Sequence, residues 1–513
     1  MLSYIVRRLV ASLFILLGAS FIVYLLIAYS GDPLAAIRSS NSPSKDAQIA
    51  TRTAMLNLDV PPVLRYFLWL GGAVKCVVPF AGQCDLGVTL QNQPVTAALG
   101  QAIPATLQLL TAATVLAIVF GVAIGVVTAL RQYSTLDYSV TFISFLFFSL
   151  PVFWVAVLLK EFGAIKFNNF LATATIAPGV IVVIALISGL VWAVIVAGTW
   201  RRRGITFVVA AAVTALVLVF LSATKWFQTP SLGPVVIAIT GVAIAYGATV
   251  LFAGLRNRRA LYSALICVGV GVIAYFALQP VLENTGFWGL VGMLVVALAI
   301  AWAIGHFMGG YDRSQSVRAA MLTTFGMGLL IVIDQFMQNW QAYSDNPLVR
   351  GRPIPTIGSK IPGLEGDFWI TGLDTMTHLI LPTISIILIS LASYTRYSRA
   401  SMLEVMGQDY VRTARAKGLS ERVVVTRHAF RNALIPLATI VAFDIGGLIG
   451  GAVITENVFS FQGMGQLFLT GIKNIDPNPV MGVAIVTGIT AVVFNLLADL
   501  AYSALDPRVR VKA

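Results

Sequence analysis

Apolar residues in this chain gather in long runs separated by short polar stretches. Runs at 9–30, 104–131, 139–159, 176–199, 205–223, 233–255, 260–279, 287–308, 317–340 and 373–395 are each of a length to cross a hydrocarbon core, which takes about 20 residues. Two more follow, one beyond Pro436 and one after Asp476-Pro477. The pattern predicts an all-α polytopic membrane protein. Gly121 and Gly125 in the second run, and Gly446-Gly447 with Gly450-Gly451 in the eleventh, form small-xxx-small pairs that let another backbone come close. Pro104 is expected to open the second helix, and Pro151 to kink the third. Arg7 and Arg8 precede a first run too long for a signal peptide, with no convincing cleavage site, so it is expected to stay as helix 1.

The charges between the runs add a topology. If helix 1 leaves the cytoplasm and the rest alternate, Arg201-Arg202-Arg203, Arg256 with Arg258-Arg259, Arg313 with Arg318, and the basic loop 404–436 all fall inside. Arg508, Arg510 and Lys512 then keep the C-terminus inside as well. The expectation is a multi-pass protein of the cell inner membrane with both termini cytoplasmic. Of 513 residues, 58% are hydrophobic and 11% charged, with a net charge of +13. In a soluble chain that excess would suggest nucleic acid; here topology accounts for it, and nucleic-acid binding is discounted.

Little covalent chemistry is on offer. No G-x-x-x-x-G-K-[ST] loop is present to cradle nucleotide phosphates, and neither a G-x-S-x-G elbow nor an H-E-x-x-H pair occurs. His306, His378 and His428 are far apart and not in a metal-type spacing. Cys267 reads as a small core residue. Cys76 and Cys84 share the segment 31–101, placed outside the membrane, where either a disulfide or two free thiols would suit the spacing. Asp444 lies within an apolar run, and an intramembrane carboxylate is a candidate either for the translocation path or for a hydrogen-bonded helix contact.

The densest polar stretch is Glu404 to Pro436. Ser401 to Ala416 reads as a helix, Lys417 and Gly418 as its C-terminal cation and left-handed corner, and Ser420 as the cap of a second helix running to Pro436. Helix, glycine corner, helix makes a docking knob with Arg412, Arg415 and Lys417 on one arm and Arg422, Arg427 and Arg431 on the other. A positive-inside bias alone would explain the charge but not the Ala-Lys-Gly corner.

Here the sequence resembles a known family. Tyr410 to Ser420 (YVRTARAKGLS), then Arg427-His428-Ala429 and Arg431-Asn432-Ala433-Leu434-Ile435-Pro436, resemble the coupling loop of permease subunits of the dipeptide/oligopeptide branch of ABC importers. Arg412-Thr413-Ala414 stand where importers in general have Glu-Ala-Ala. Further matches are Gly31-Asp32-Pro33, Asp85-Leu86-Gly87, Ser149 to Trp154, Leu379 to Pro382, Thr455-Glu456-Asn457-Val458-Phe459 with Gly463-Met464-Gly465, and Asp506-Pro507-Arg508. Cys84 replaces a usual glycine and Phe461-Gln462 a usual Trp-Pro.

The resemblance implies a type I ABC importer-like core of six helices. It divides the chain into a first helix (1–30), an extracytoplasmic segment (31–101), core helices 2 and 3 (102–160), an inserted region of about six helices (161–367) and the remaining core (368–513) with its coupling loop at 396–432. The implied function is that of a permease subunit of an ATP-driven peptide importer. It would not itself be an enzyme: the chain would bind no cofactor, ATP and Mg would belong to two ATP-binding partner subunits, and a second homologous permease, an extracytoplasmic substrate-binding protein and membrane lipid would complete the assembly. Coupling would fall to Glu404, Asp409, Tyr410, Arg412, Thr413, Ala414, Arg415, Ala416, Lys417 and Gly418. Asp444, Gly447, Gly451 and Glu456 are translocation or packing candidates. The alternatives are an ATPase-independent secondary transporter or channel, for which more intramembrane ionisable groups and internal repeats are expected, and an ABC permease for nickel or another small solute.

Overall fold

In the computed structural model, which describes residues 2–76, 82–196 and 198–505, the apolar runs fold as helices, joined by short helical turns and loops. For 2–5, 439, 442–443, 445–451 and 498–505 it describes the backbone alone. An isolated Val88–Pro94 bridge is the one β pairing among the described residues. Two units are present, Met1–Gly163 with Thr356–Ser359 and Leu379–Ala513, and Ala164–Pro355 with Lys360–His378.

The first unit begins with α1 (Leu2–Tyr29), followed by α2 (Ala35–Arg38), α3 (Lys45–Leu56) and α4 (Pro62–Val74). These short helices are packed, because α4 turns Tyr66 and Trp69 onto Tyr24 of α1. The Tyr66 hydroxyl lies 2.8 Å from Ser20 Oγ, and Trp69 Nε1 donates to the Leu86 carbonyl at 3.3 Å. Cys76 and Cys84 are joined as a disulfide.

Helix α5 (Val95–Leu130) starts nine residues before Pro104, which lies inside it. The expected start at Pro104 is corrected by packing: Val95, Leu99 and Ala102 are buried in the unit's main core with Leu109, which offsets the one backbone bond a proline removes. Gly121 and Gly125 do seat a second helix. A Cβ on Gly125 would stand 2.6 Å from the Thr395 carbonyl oxygen and 2.7 Å from Ser398 Cβ.

The third expected helix is broken rather than kinked. α6 (Thr135–Ser149) ends at a 99° bend from the helical stretch Val152–Leu171, which α7 (Val152–Leu158) opens. Pro151 forces Leu150 into extended backbone, which ends α6 there. A π-helical segment, Leu159–Lys166, follows.

The second unit holds α8 (Phe167–Leu171), α9 (Pro178–Ile195), α10 (Trp200–Ala223), α11 (Gly233–Phe252), α12 (Arg258–Ala277), α13 (Gln279–Glu283), α14 (Phe287–Met308), α15 (Arg313–Gln338) and α16 (Trp340–Ser344). Six helical stretches of this unit are long and apolar enough to cross a bilayer, and the unit extends through His378. α9 and α10 form a hairpin with Ser188 Oγ 2.8 Å from Thr214 Oγ1. Asp334 of α15 is fully buried and accepts hydrogen bonds from Leu232 N at 2.6 Å, Tyr275 Oη at 2.8 Å and Gln338 Nε2 at 2.6 Å. It holds the start of α11 against α12 and α15. The unit's ends meet where Asn168 bonds both the carbonyl and the N–H of Ile354.

α17 (Phe368–Met406) has its first turns, up to His378, in this second unit and continues in the first. α18 (Asp409–Ala416), α19 (Glu421–Val423), a π-helical segment (Val424–Phe430), α20 (Arg431–Gly451), α21 (Val453–Val458), α22 (Met464–Lys473) and α23 (Pro477–Leu505) complete the chain. The expected stop at Pro436 is corrected: the proline sits within α20, and the helical path runs on to Gly451. Among the described residues ten helices are long and apolar enough to cross a bilayer, or eleven if the bent pair Thr135–Ser149 + Val152–Leu171 counts as one span.

Candidate functional site

Beyond its apolar stretch α17 carries on for two polar turns, then stops at Gly407-Gln408, so the expected continuous helix from Ser401 to Ala416 is two helices. α18 has a narrow apolar edge. Val411 and Ala414, three residues apart, are buried against Met402, Val424, Ala429 and Ala433, with Ala129 of α5 in the same cluster. Ser401 Oγ donates to the Ala433 carbonyl at 2.8 Å, tying α17 to α20 beside this cluster.

The corner forms as the sequence suggests. Gly418 has φ +72°, a left-handed backbone that a side chain disfavours, and a Cβ there would meet open space. Arg415 braces the corner from within: its Nη2 donates to Glu421 Oε1 at 2.7 Å and its Nε to Oε2 at 3.2 Å. That hydrogen-bonded guanidinium holds the Glu421 carboxyl below its ordinary value.

The proposed coupling residues therefore divide. Tyr410, Arg412, Thr413, Ala416, Lys417 and Gly418 are exposed, as are Glu404 on the last turns of α17 and Asp409, which lies 3.7 Å from Arg412. Ala414 is buried and faces inward, so it seats the helix rather than offering a surface. Arg415 is engaged by Glu421. Beside the corner a cleft of about 930 Å³ is lined by Arg131 and Tyr133 from the α5–α6 turn, Met406, Glu421 and Arg422.

The other candidates lie elsewhere in the first unit. Glu456, a translocation or packing candidate, is fully buried. Its Oε1 accepts from Thr106 Oγ1 at 2.7 Å, and its Oε2 from the N–H groups of Gly465 at 2.7 Å and Gln466 at 3.1 Å. A carboxylate on the first turn of α22 meets unpaired N–H groups and the positive end of the helix. Gly463 and Gly465 are needed because a Cβ at either would collide with that carboxylate or with Val453. Asp444 is half-buried and hydrogen-bonds Tyr394 of α17. The side-chain surroundings of Gly447 and Gly451, with Asp506-Pro507-Arg508, lie outside the described residues. Among the described residues no group of three His, Cys, Asp or Glu is placed to hold a metal.

Two residues that sequence reasoning passed over stand out. Asp137 and Arg399 form a two-pronged ion pair, Nε to Oδ1 at 2.7 Å and Nη2 to Oδ2 at 2.9 Å. The signal available was an acid at the start of one apolar run and an arginine at the end of another.

The family profile described as binding-protein-dependent transport system inner membrane component matches residues 185–511. The chain is 26% identical over 511 residues, spanning all of both proteins, to the oligopeptide transport system permease protein OppB of Mycobacterium tuberculosis, and to that of Mycobacterium bovis at the same figures. It is 40% identical over 156 residues to the dipeptide transport system permease protein DppB of Escherichia coli. Those residues are 30% of this chain and 45% of that one, so the Escherichia coli protein is about two-thirds as long.

Proposed function

Because this chain belongs to the binding-protein-dependent transport system inner membrane component family, we propose that it is the permease subunit of an ATP-driven importer of di- or oligopeptides, with α18 as the contact to a separate ATPase. The chain is a multi-pass membrane component of a transport system, and its relatives named for oligopeptide and dipeptide transport favour peptide over nickel as cargo. Two ATP-binding subunits carry ATP and Mg, a second homologous permease forms the other half of the path, and an external binding protein delivers the peptide. The termini are cytoplasmic, a reading supported by the arginines at the start of α10, in the α11–α12 turn and at the start of α15.

The observation that carries this reading is the form of α18: an eight-residue helix with a charged outer face, held by a buried edge and closed by a braced glycine corner. Such a part can receive a push without yielding. ATPase closure on ATP would displace α18, and its seat on α17, α20 and the end of α5 would turn that displacement into helix rearrangement. Complementary charges at Arg412 and Lys417 would set the register of docking.

Gentle extraction should recover the protein with an ATPase chain, and reconstituted vesicles should take up a labelled dipeptide with ATP and binding protein present. Uptake driven by an ion gradient alone, with no ATPase retained, would contradict the proposal.

A further inference from the structure

α6 is poorly seated for a helix of 15 residues: only Asp137 and Ser144 are buried in it. What holds its first turn is α17. Asp137 is 2% exposed, caps the turn by accepting from Tyr133 N at 3.1 Å, and receives both prongs of Arg399. A fork of this kind fixes orientation as well as distance, which a single point charge does not. Three residues earlier on α17, the Arg396 guanidinium lies 4.4 Å from the ring centre of Phe148 and 5.4 Å from that of Phe145, both on α6. Arg396 and Arg399 therefore grip α6 near its two ends, and the same stretch of α17 leads through Gly407-Gln408 into α18.

We propose that Arg396, Arg399 and Asp137 form a clamp that carries the movement of α18 and α17 into α6, and so into the 99° break at Pro151. These are positioning residues: they touch no substrate and act through the helices they join. The proposal rests on α18 being the contact to an ATPase. α17 already packs on α5 through Gly121 and Gly125, so without the clamp α17 would still be seated, while α6 would lose its fork and its cation–ring contacts to α17.

The test measures ATP hydrolysed per peptide imported in vesicles, together with the distance between spin labels at positions 138 and 413, both exposed. Arg399→Gln and Asp137→Asn are expected to raise the ATP-to-peptide ratio by roughly fivefold or more and to broaden the distance distribution. Arg399→Lys should fall between, keeping the charge but losing the fork. The exchanged pair Asp137→Arg with Arg399→Asp should recover much of the coupling, which separates a lost clamp from a misfolded chain. Unchanged ratio and distance in both single variants would overturn the proposal, and so would a loss of coupling that neither Arg399→Lys nor the exchanged pair relieves. If the wild-type protein shows no ATP-linked uptake, the importer reading fails instead; the clamp is then judged by the distance distribution, which must still broaden in Arg399→Gln and narrow again in the exchanged pair.

Discussion

Gly418 shows how little of the chain the corner depends on. Its φ of +72° would cost a side-chain-bearing residue about 1–2 kcal/mol, and since no atom lies near its absent Cβ, that penalty is purely one of backbone. Gly418→Leu is expected to insert normally and to hydrolyse ATP with its partners while importing less peptide per ATP; normal stoichiometry would show that the left-handed corner does not matter. Glu456 poses the opposite case. Glu456→Ala would leave Thr106 and two N–H groups of α22 without an acceptor in a buried place, a loss of about 3 kcal/mol, read as a clear fall in thermal midpoint in detergent. Glu456→Gln should fall less. The corner was legible in the sequence because its cause is local, a glycine following a cationic helix end. The burial of Glu456 was not, because its partners Thr106 and Gln466 come together only in the fold.

Prolines mark the same contrast among the helices. Pro104, Pro151 and Pro436 have one local chemistry and three outcomes: inside a helix start, at a sharp break, and within a continuing helix. Packing decides between them, and a single sequence does not display packing. Helix existence was legible for the opposite reason, since a bilayer demands long apolar runs whatever their neighbours. One acid ties the segment 31–101 to the turn before α23. Asp476, on the turn between α22 and α23, accepts from Leu90 N at 3.0 Å and Asn478 N at 3.2 Å, and burial pushes its carboxyl up to about 6. A carboxyl that binds its proton more tightly when folded stabilises fully below its unfolded value near 3.8, and loses that stabilisation as pH rises through about 6. The thermal midpoint of the wild-type protein relative to Asp476→Asn should therefore fall between pH 4 and pH 7, by the equivalent of roughly 2–3 kcal/mol. A flat difference would place this carboxyl in contact with water.

At the scale of the molecule, six helices of the second unit are long and apolar enough to cross a bilayer, where the apolar runs put them, and arginine clusters recur at every second turn between them. α17 passes from one unit to the other without a break in its sequence, so nothing local marks His378 as the end of the second unit. The second unit has its own buried contacts, at Asp334 and at Asn168 with Ile354, and a dipeptide permease about two-thirds as long does without such a length of chain. Joining residue 168 to residue 354 by a short linker should thus leave ATP-linked uptake in place; its abolition would give the inserted helices a part in the path. The central claim, that an exposed elbow receives the work of a separate ATPase, is tested most directly by photo-crosslinking from position 413 on α18 in native membranes. Adducts to a nucleotide-binding chain from position 413, and none from position 216 on the unburied helix α10, are the predicted result. No such adduct from 413, or equal yields from both positions, would contradict it.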